Sequence, residues 1–260
     1  MKNLKLYLIL IVFCLISFLT TNVHAHFLWL NVHDYTPKEN KIVKFSIGWG
    51  HAFYNPVGDI LSGQELMKKI YLVSPDGTKI KTNAVNDFCY ESASKLSSGT
   101  YLAIVNRKEG FSTKTKTGYL RQSKQGLKDV IHSRFIGMYG KAIINAGSSN
   151  QNKSLSIPTG TILELIPLTD PKNLKVGDYF KFQLLYQGKG VAEYINSTWA
   201  GFSYDNAWAF STRTGKNGFG EIKILCSGLW VIKANHKAPY PDQAKADEYS
   251  YTSSLTFEIK

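Results

Sequence analysis

The sequence predicts an all-β fold of one or two β-sandwich domains, with an immunoglobulin-like C-terminal part. Short runs rich in Ile, Val, Tyr, Phe and Trp alternate at period two, the spacing of strands with one buried face. Gly, Pro, Asn and Asp cluster between those runs, as in Pro75-Asp76-Gly77 and Gly215-Lys216-Asn217-Gly218. Helical spacing is confined to one stretch, Leu127–Ala146, which is read as the single helix candidate.

The chain opens with a leader. Lys2 and Lys5 precede an apolar run from Leu6 to Leu19, and Val23-His24-Ala25 offers a small-residue cleavage site. The run of about 14 residues is shorter than the roughly 20 needed to span a bilayer. Residues 1–25 are therefore expected to be a signal peptide. The mature chain is expected to be periplasmic, with no transmembrane anchor after cleavage. Cys14 lies inside the apolar run behind Phe13 and is read as part of the leader.

Candidate strands follow in order. In the first half they are His26–Val32, Lys41–Gly50, Lys69–Ser74 and Thr100–Arg107. In the second they are Thr161–Pro167, Asp178–Gln187, Val191–Trp199, Asn206–Thr212, Glu221–Leu225, Leu229–His236 and Tyr249–Ile259. A boundary is expected near Ser148–Pro158, where Gly, Ser, Asn and Gln gather. It divides an N-terminal β-rich metal-site region, 26–158, from a C-terminal immunoglobulin-like sandwich, 159–260, whose seven strands suit that module.

The formal charge is +12, of which Lys2 and Lys5 leave with the leader. Only Arg107, Arg121, Arg134 and Arg213 are arginines, and the lysines are dispersed among Asn, Ser and Ile. Nucleic-acid sites cluster both residues on one face, so no nucleic-acid partner is expected. The mature chain keeps Cys89 and Cys226. Export permits a disulfide, but the sequence leaves their pairing open, and no CxxC or zinc-finger spacing occurs.

The histidines carry the chemistry. Cleavage after Ala25 would make His26 the first residue, offering a free amine and an imidazole to one metal ion. Side chains alternate along a strand. His26 then shares a face with Leu28, Leu30 and Val32, and His51 continues the face of Val43, Phe45, Ile47 and Trp49. His236 ends the face of Trp230, Ile232 and Ala234. Three histidines at strand ends, in register with apolar faces, are the candidate metal ligands: His26, His51 and His236. Open metal sites commonly have three protein ligands. His33 is a substitute ligand, and His132 is read as structural or superficial. Three independently bonded histidines are the competing reading. No HExxH, EF-hand, G-x-S-x-G, P-loop or GxGxxG pattern stands in suitable context, so no catalytic residues are assigned.

Several segments together resemble a known family. They are His26-Phe27-Leu28-Trp29-Leu30 after the leader, Gly48-Trp49-Gly50-His51, Ser98-Gly99-Thr100-Tyr101-Leu102 and Gly110-Phe111-Ser112-Thr113-Lys114-Thr115. Further on come Leu163-Glu164-Leu165-Ile166-Pro167, Leu174-Lys175-Val176-Gly177-Asp178 and Gly228-Leu229-Trp230-Val231-Ile232 through His236. The chain resembles the exported domain-of-unknown-function family described as the periplasmic component of an ABC-type cobalt/nickel uptake system (NikM-like). The resemblance implies a non-enzymatic periplasmic protein that binds a divalent transition metal, nickel or cobalt, and hands it to a membrane metal permease. Copper and zinc suit the same nitrogen ligands, and copper should bind tightest in vitro. Affinity should fall with acidification below about pH 6.5, because ligation needs neutral imidazole. The chain departs from the family where a proline or acidic residue is common around the Gly-His segment, carrying Ala52-Phe53-Tyr54 instead, so no carboxylate ligand is expected from that loop.

Two alternatives belong to other classes. One is an envelope module that binds a glycan or a protein, with incidental histidines. The other is a copper oxidase built on a terminal histidine brace.

Overall fold

The computed structural model describes residues 26–54, 67–205 and 207–260. The signal-peptide reading of residues 1–25 lies outside the described residues. Among the described residues seventeen strands form. The first nine are β1 (Phe27–Val32), β2 (Lys44–Gly50), β3 (Met67–Val73), β4 (Lys79–Ala84), β5 (Cys89–Ser92), β6 (Gly99–Arg107), β7 (Gly110–Thr115), β8 (Gly118–Leu120) and β9 (Val130–Ala146). The rest are β10 (Leu163–Pro167), β11 (Tyr179–Tyr186), β12 (Lys189–Gly190), β13 (Tyr194–Trp199), β14 (Phe210–Arg213), β15 (Phe219–Lys223), β16 (Gly228–Pro239) and β17 (Glu248–Ile259). The all-β class is as the sequence predicts.

The expected helix over Leu127–Ala146 is a strand instead. Here the continuous β9 runs from Val130 to Ala146. Its odd positions Tyr139 and Ile143 face one core, while Ala142, Ile144 and Ala146 face another. A strand buried on both faces reads as unbroken hydrophobicity, which hides period two. Gly137 and Gly140 sit within the run and fit a strand better than a helix interior.

The larger sheet runs β1-β2-β5-β4-β3-β6-β9-β17-β16-β13-β14, with β7 on β9 and β8 on β7. It folds over on itself. The Oγ of Ser254 in β17 donates to the Leu28 carbonyl of β1 at 2.5 Å, and Thr256 Oγ1 donates to the Leu30 carbonyl at 2.7 Å. Leu28, Leu30, Phe45 and Ile47 thus pack on Tyr101, Ala103 and Val105 of β6. A smaller sheet, β10-β11-β12 with β15 on β11, covers the other face of the long strands. Phe180 and Phe182 meet Trp230, Ile232, Leu255 and Phe257 there. Two sandwiches therefore share one middle layer, in which β9 and β17 pair in parallel. The expected boundary near Ser148–Pro158 falls in the connection from β9 to β10, and strand pairing crosses it.

Two buried cations mark this middle layer. Lys141 of β9 donates to Glu164 of β10 at 2.5 Å, with both side chains 2% exposed. Thr159 adds a backbone and a hydroxyl donor to the same carboxylate. Burial would raise the Glu164 carboxyl, but the Lys141 ammonium and these donors outweigh it and hold it below the usual range. Lys233 of β16 turns toward β1, against aromatic rings. Its ammonium lies 4.7 Å from the Phe27 ring centre and 5.2 Å from that of Trp208. Burial pulls its pKa down to about 8.

Candidate functional site

The antiparallel pairing of β1 and β2 builds the site. Phe27 lies opposite Gly50 and Leu28 opposite Trp49, so continuing the register one step sets His26 against His51. Gly48 makes the pairing tight. A Cβ there would come within 2.1 Å of the Trp29 indole, which lies across it and donates to Asn31 Oδ1 at 3.0 Å. The glycine is therefore the bed of an aromatic ring that fixes the strand bearing His26.

The His26 and His51 ring centres stand 4.1 Å apart at a tilt of 31°. The two imidazoles are thus neighbours, and a shared ion at about 2.0–2.1 Å from each would need their nitrogens within about 4.2 Å of one another. Both side chains are half-buried, and His51 Nδ1 is shielded from solvent. His26 also stacks on Trp49, at 5.5 Å and 10°. The Trp49 ring in turn lies 5.6 Å from the Arg107 guanidinium. Arg107 ends the inward face of β6, after Tyr101, Ala103 and Val105, and is 9% exposed. Burial, reinforced by the charge of Arg121, lowers its pKa.

His236 is not part of this cluster. It follows Trp230, Ile232 and Ala234 as alternation requires, but that face looks into the core under the smaller sheet. Val231, on the opposite face of β16, packs with Phe27 and Trp29 instead. The Nδ1 of His236 pairs with Glu193 at 2.8 Å, and its ring lies 4.1 Å from that of Tyr186. The structure thus brings His26 and His51 together and places His236 with Glu193 and Tyr186 instead. Among the described residues no group of three or more His, Cys, Asp or Glu could hold one ion.

The remaining histidines are elsewhere. His33 is exposed. His132 lies between Asp247 at 3.2 Å and Glu248 at 3.1 Å, a surface network that Lys237 joins. Cys89 and Cys226 are both free thiols. Burial pushes the Cys226 thiol up, away from the thiolate that a metal requires.

A second cluster surrounds His236. Tyr249 of β17 pairs with Phe135 of β9, which pairs with Phe111 of β7. Tyr240 stands 4.7 Å from Tyr249, and Tyr251 links Tyr249 at 5.5 Å to Tyr186 at 6.0 Å. Phe111, Phe135, Tyr186, Tyr240 and Tyr249 are all half-buried. Sequence reasoning missed Arg107 and Glu193 as members of the two clusters. Arg107 was detectable as a charge continuing an apolar face, whereas nothing local marks Glu193.

The family model described as Domain of unknown function (DUF4198) matches residues 23–238. No curated protein matches the chain. Among solved structures, the fibronectin(III)-like modules of Clostridium thermocellum CbhA share 10% identity over 89% of this chain and 94% of theirs, with a TM-score of 0.21. Murine CEACAM1b shares 9% over 90% of this chain and 98% of its own, at 0.23. A DUF4785 family protein from Legionella pneumophila shares 8% over 88% of this chain and 57% of its own, at 0.26. Likeness of that degree carries no argument about what this chain does. Among the described residues no helix is long and apolar enough to cross a membrane, which says nothing of a β-barrel.

Proposed function

The chain belongs to the family described as Domain of unknown function (DUF4198), and we propose that it is a metal-binding protein of the cell envelope. The reading is that His26 and His51 hold a divalent transition metal, nickel or cobalt, for delivery to a membrane permease in the periplasm. The observation that carries it is the 4.1 Å approach of the two imidazoles across the β1–β2 pair. If cleavage follows Ala25, the new amine adds a third nitrogen on the same residue. The role is binding and release rather than turnover.

The test is calorimetric titration of the mature protein with nickel, cobalt, copper and zinc. One-to-one binding should be lost in His51→Ala and weakened by one residue added before His26, while His33→Ala leaves it intact. Failure of all four metals to bind would overturn the reading.

A second reading has its own observation, the half-buried aromatic array of Phe111, Phe135, Tyr240, Tyr249 and Tyr186. Exposed apolar patches often mark interaction sites, and the array favours an envelope module for a glycan or protein partner. Retention of a partner by the His51→Ala variant, with loss in Tyr249→Ala, would favour it over metal handling.

A further inference from the structure

We propose that the aromatic face carrying Tyr249 binds a neutral oligosaccharide. The assignment rests on the second reading above, whose ligand it names, and it does not depend on the metal site.

Strand register lays this face out in two rows. Phe111 of β7 lies opposite Phe135 of β9, which pairs with Tyr249 of β17, which pairs with Ala238 of β16. Side chains set directly opposite share a face, so the first row is apolar and mostly aromatic. Tyr240 adjoins it, with its ring 4.7 Å from that of Tyr249 and 5.7 Å from that of Phe111. The second row lies two residues along each strand, on the same face. There Gly137 pairs with Tyr251, and Tyr251 with His236. Continuing the β7–β9 register sets Glu109 against Gly137. The second row is therefore polar at both ends.

Gly137 makes the polar row possible. A Cβ there would come within 2.6 Å of the Tyr139 hydroxyl and 2.8 Å of the Tyr251 ring. The Tyr139 phenol, 3% exposed, thus crosses the strand over the glycine and donates to Glu109 at 2.9 Å. That bond fixes a carboxylate beside the ring row. At the other end His236 Nδ1 holds the Glu193 carboxylate at 2.8 Å, and the Tyr186 ring stands 4.1 Å from the imidazole.

Rings in a row, bordered by carboxylates, match the surface of a sugar chain. A pyranose carries C–H groups on its faces, which the negative face of an aromatic ring attracts. Its hydroxyls stand around the edge and donate well to charged acceptors. A carboxylate accepts about four hydrogen bonds, so the bond from Tyr139 does not exhaust Glu109. The row crosses three strand spacings of about 4.8 Å, roughly 14 Å in all, which suits several linked sugars better than one. Charged groups are depleted from the cores of protein interfaces, and two carboxylates border this row. The same carboxylates repel an anionic chain, which selects a neutral one.

The experiment titrates cellohexaose, chitohexaose and maltohexaose into the mature protein, with hexagalacturonate as the charged control. At least one neutral hexasaccharide should bind, and about tenfold or more tighter than hexagalacturonate. Tyr249→Ala and Tyr240→Ala should each weaken it by about tenfold or more. Tyr240 lies outside the strands, so its variant should keep the fold. Glu109→Gln, which preserves the side-chain shape, should weaken it by about threefold or more, and His51→Ala should leave it unchanged. No binding of any neutral hexasaccharide at millimolar concentration would overturn the inference, as would unchanged binding in both tyrosine variants or equal binding of hexagalacturonate. Acetylation with N-acetylimidazole, mapped by mass spectrometry, tests the second reading separately. Unmodified Tyr240 and Tyr249 would mean that the face is covered and is no interaction surface. Modified tyrosines with no sugar bound would defeat the oligosaccharide alone.

Discussion

Lys233 gives the sharpest physical test of the fold around the site. Its ammonium is buried against Phe27 and Trp208, and Phe27 is the strand neighbour of His26. Its pKa falls from the ordinary 10.5 to about 8, a difference worth about 3 kcal/mol at 1.36 kcal/mol per pH unit. Below pH 8 the group is charged in both states, and the folded chain bears that cost. Between about pH 8 and 10.5 the folded lysine is neutral while the unfolded one still holds its proton. The unfolded state then binds more protons, so stability rises with pH. The rise attributable to Lys233 is about 2 kcal/mol between pH 7 and 9.5. Attraction to the two rings favours the charged form, by roughly 1–2 kcal/mol, and would shrink the neutral-pH cost and the rise together. Lys233→Met should therefore gain about 1–2 kcal/mol at pH 7 and lose the pH-dependent rise. Urea unfolding of both proteins at pH 7, 8, 9 and 9.5 measures this directly. A variant that retains the parent's slope would refute the reasoning, since the proton would then belong to another group.

Three further outcomes are expected. Lys141→Met alone leaves Glu164 buried and unpaired, at a cost of about 3–5 kcal/mol, whereas Lys141→Met with Glu164→Leu should restore most of it; a double variant as unstable as the single in denaturant melts would contradict this. Gly48→Ala drives a methyl into the Trp29 indole and should cost about 2 kcal/mol, roughly 4–8 °C in Tm, so an unchanged thermal melt would show that the indole yields freely. His236→Ala should leave nickel affinity unchanged while losing the Glu193 pair, and a loss of affinity in titration would return His236 to the ligand set.

Alternation along β1 and β2 made the inward faces legible, because each strand has a single buried face. It put His26 with Leu28 and Leu30, and His51 with Phe45 and Ile47. The same rule led astray at His236. It names the face of a strand but not the core into which that face looks, and β16 stands between two. For β9 the failure was of another kind. A strand covered on both sides carries no polar alternation, so Val130–Ala146 offered no period to read. At Arg107 the place on an apolar face was legible, but the surroundings were not. Its environment is made by Trp49, from a strand more than fifty residues earlier, and only the folding over of the larger sheet joins them.

The place of β17 in the sheet bears on how the chain reaches this state. It is the last strand in chain order yet lies in the interior of the sheet, with twelve residues paired to β16 and its other edge to β9. Until Glu248–Ile259 is available, β9 and β16 have no common neighbour, and the polar links from Ser254 and Thr256 to β1 are missing. Most of the closing contacts join segments far apart in sequence, which slows folding. A polypeptide made from its N-terminal end would thus lack the pairing at the centre of its larger sheet until almost all of these strands had been made.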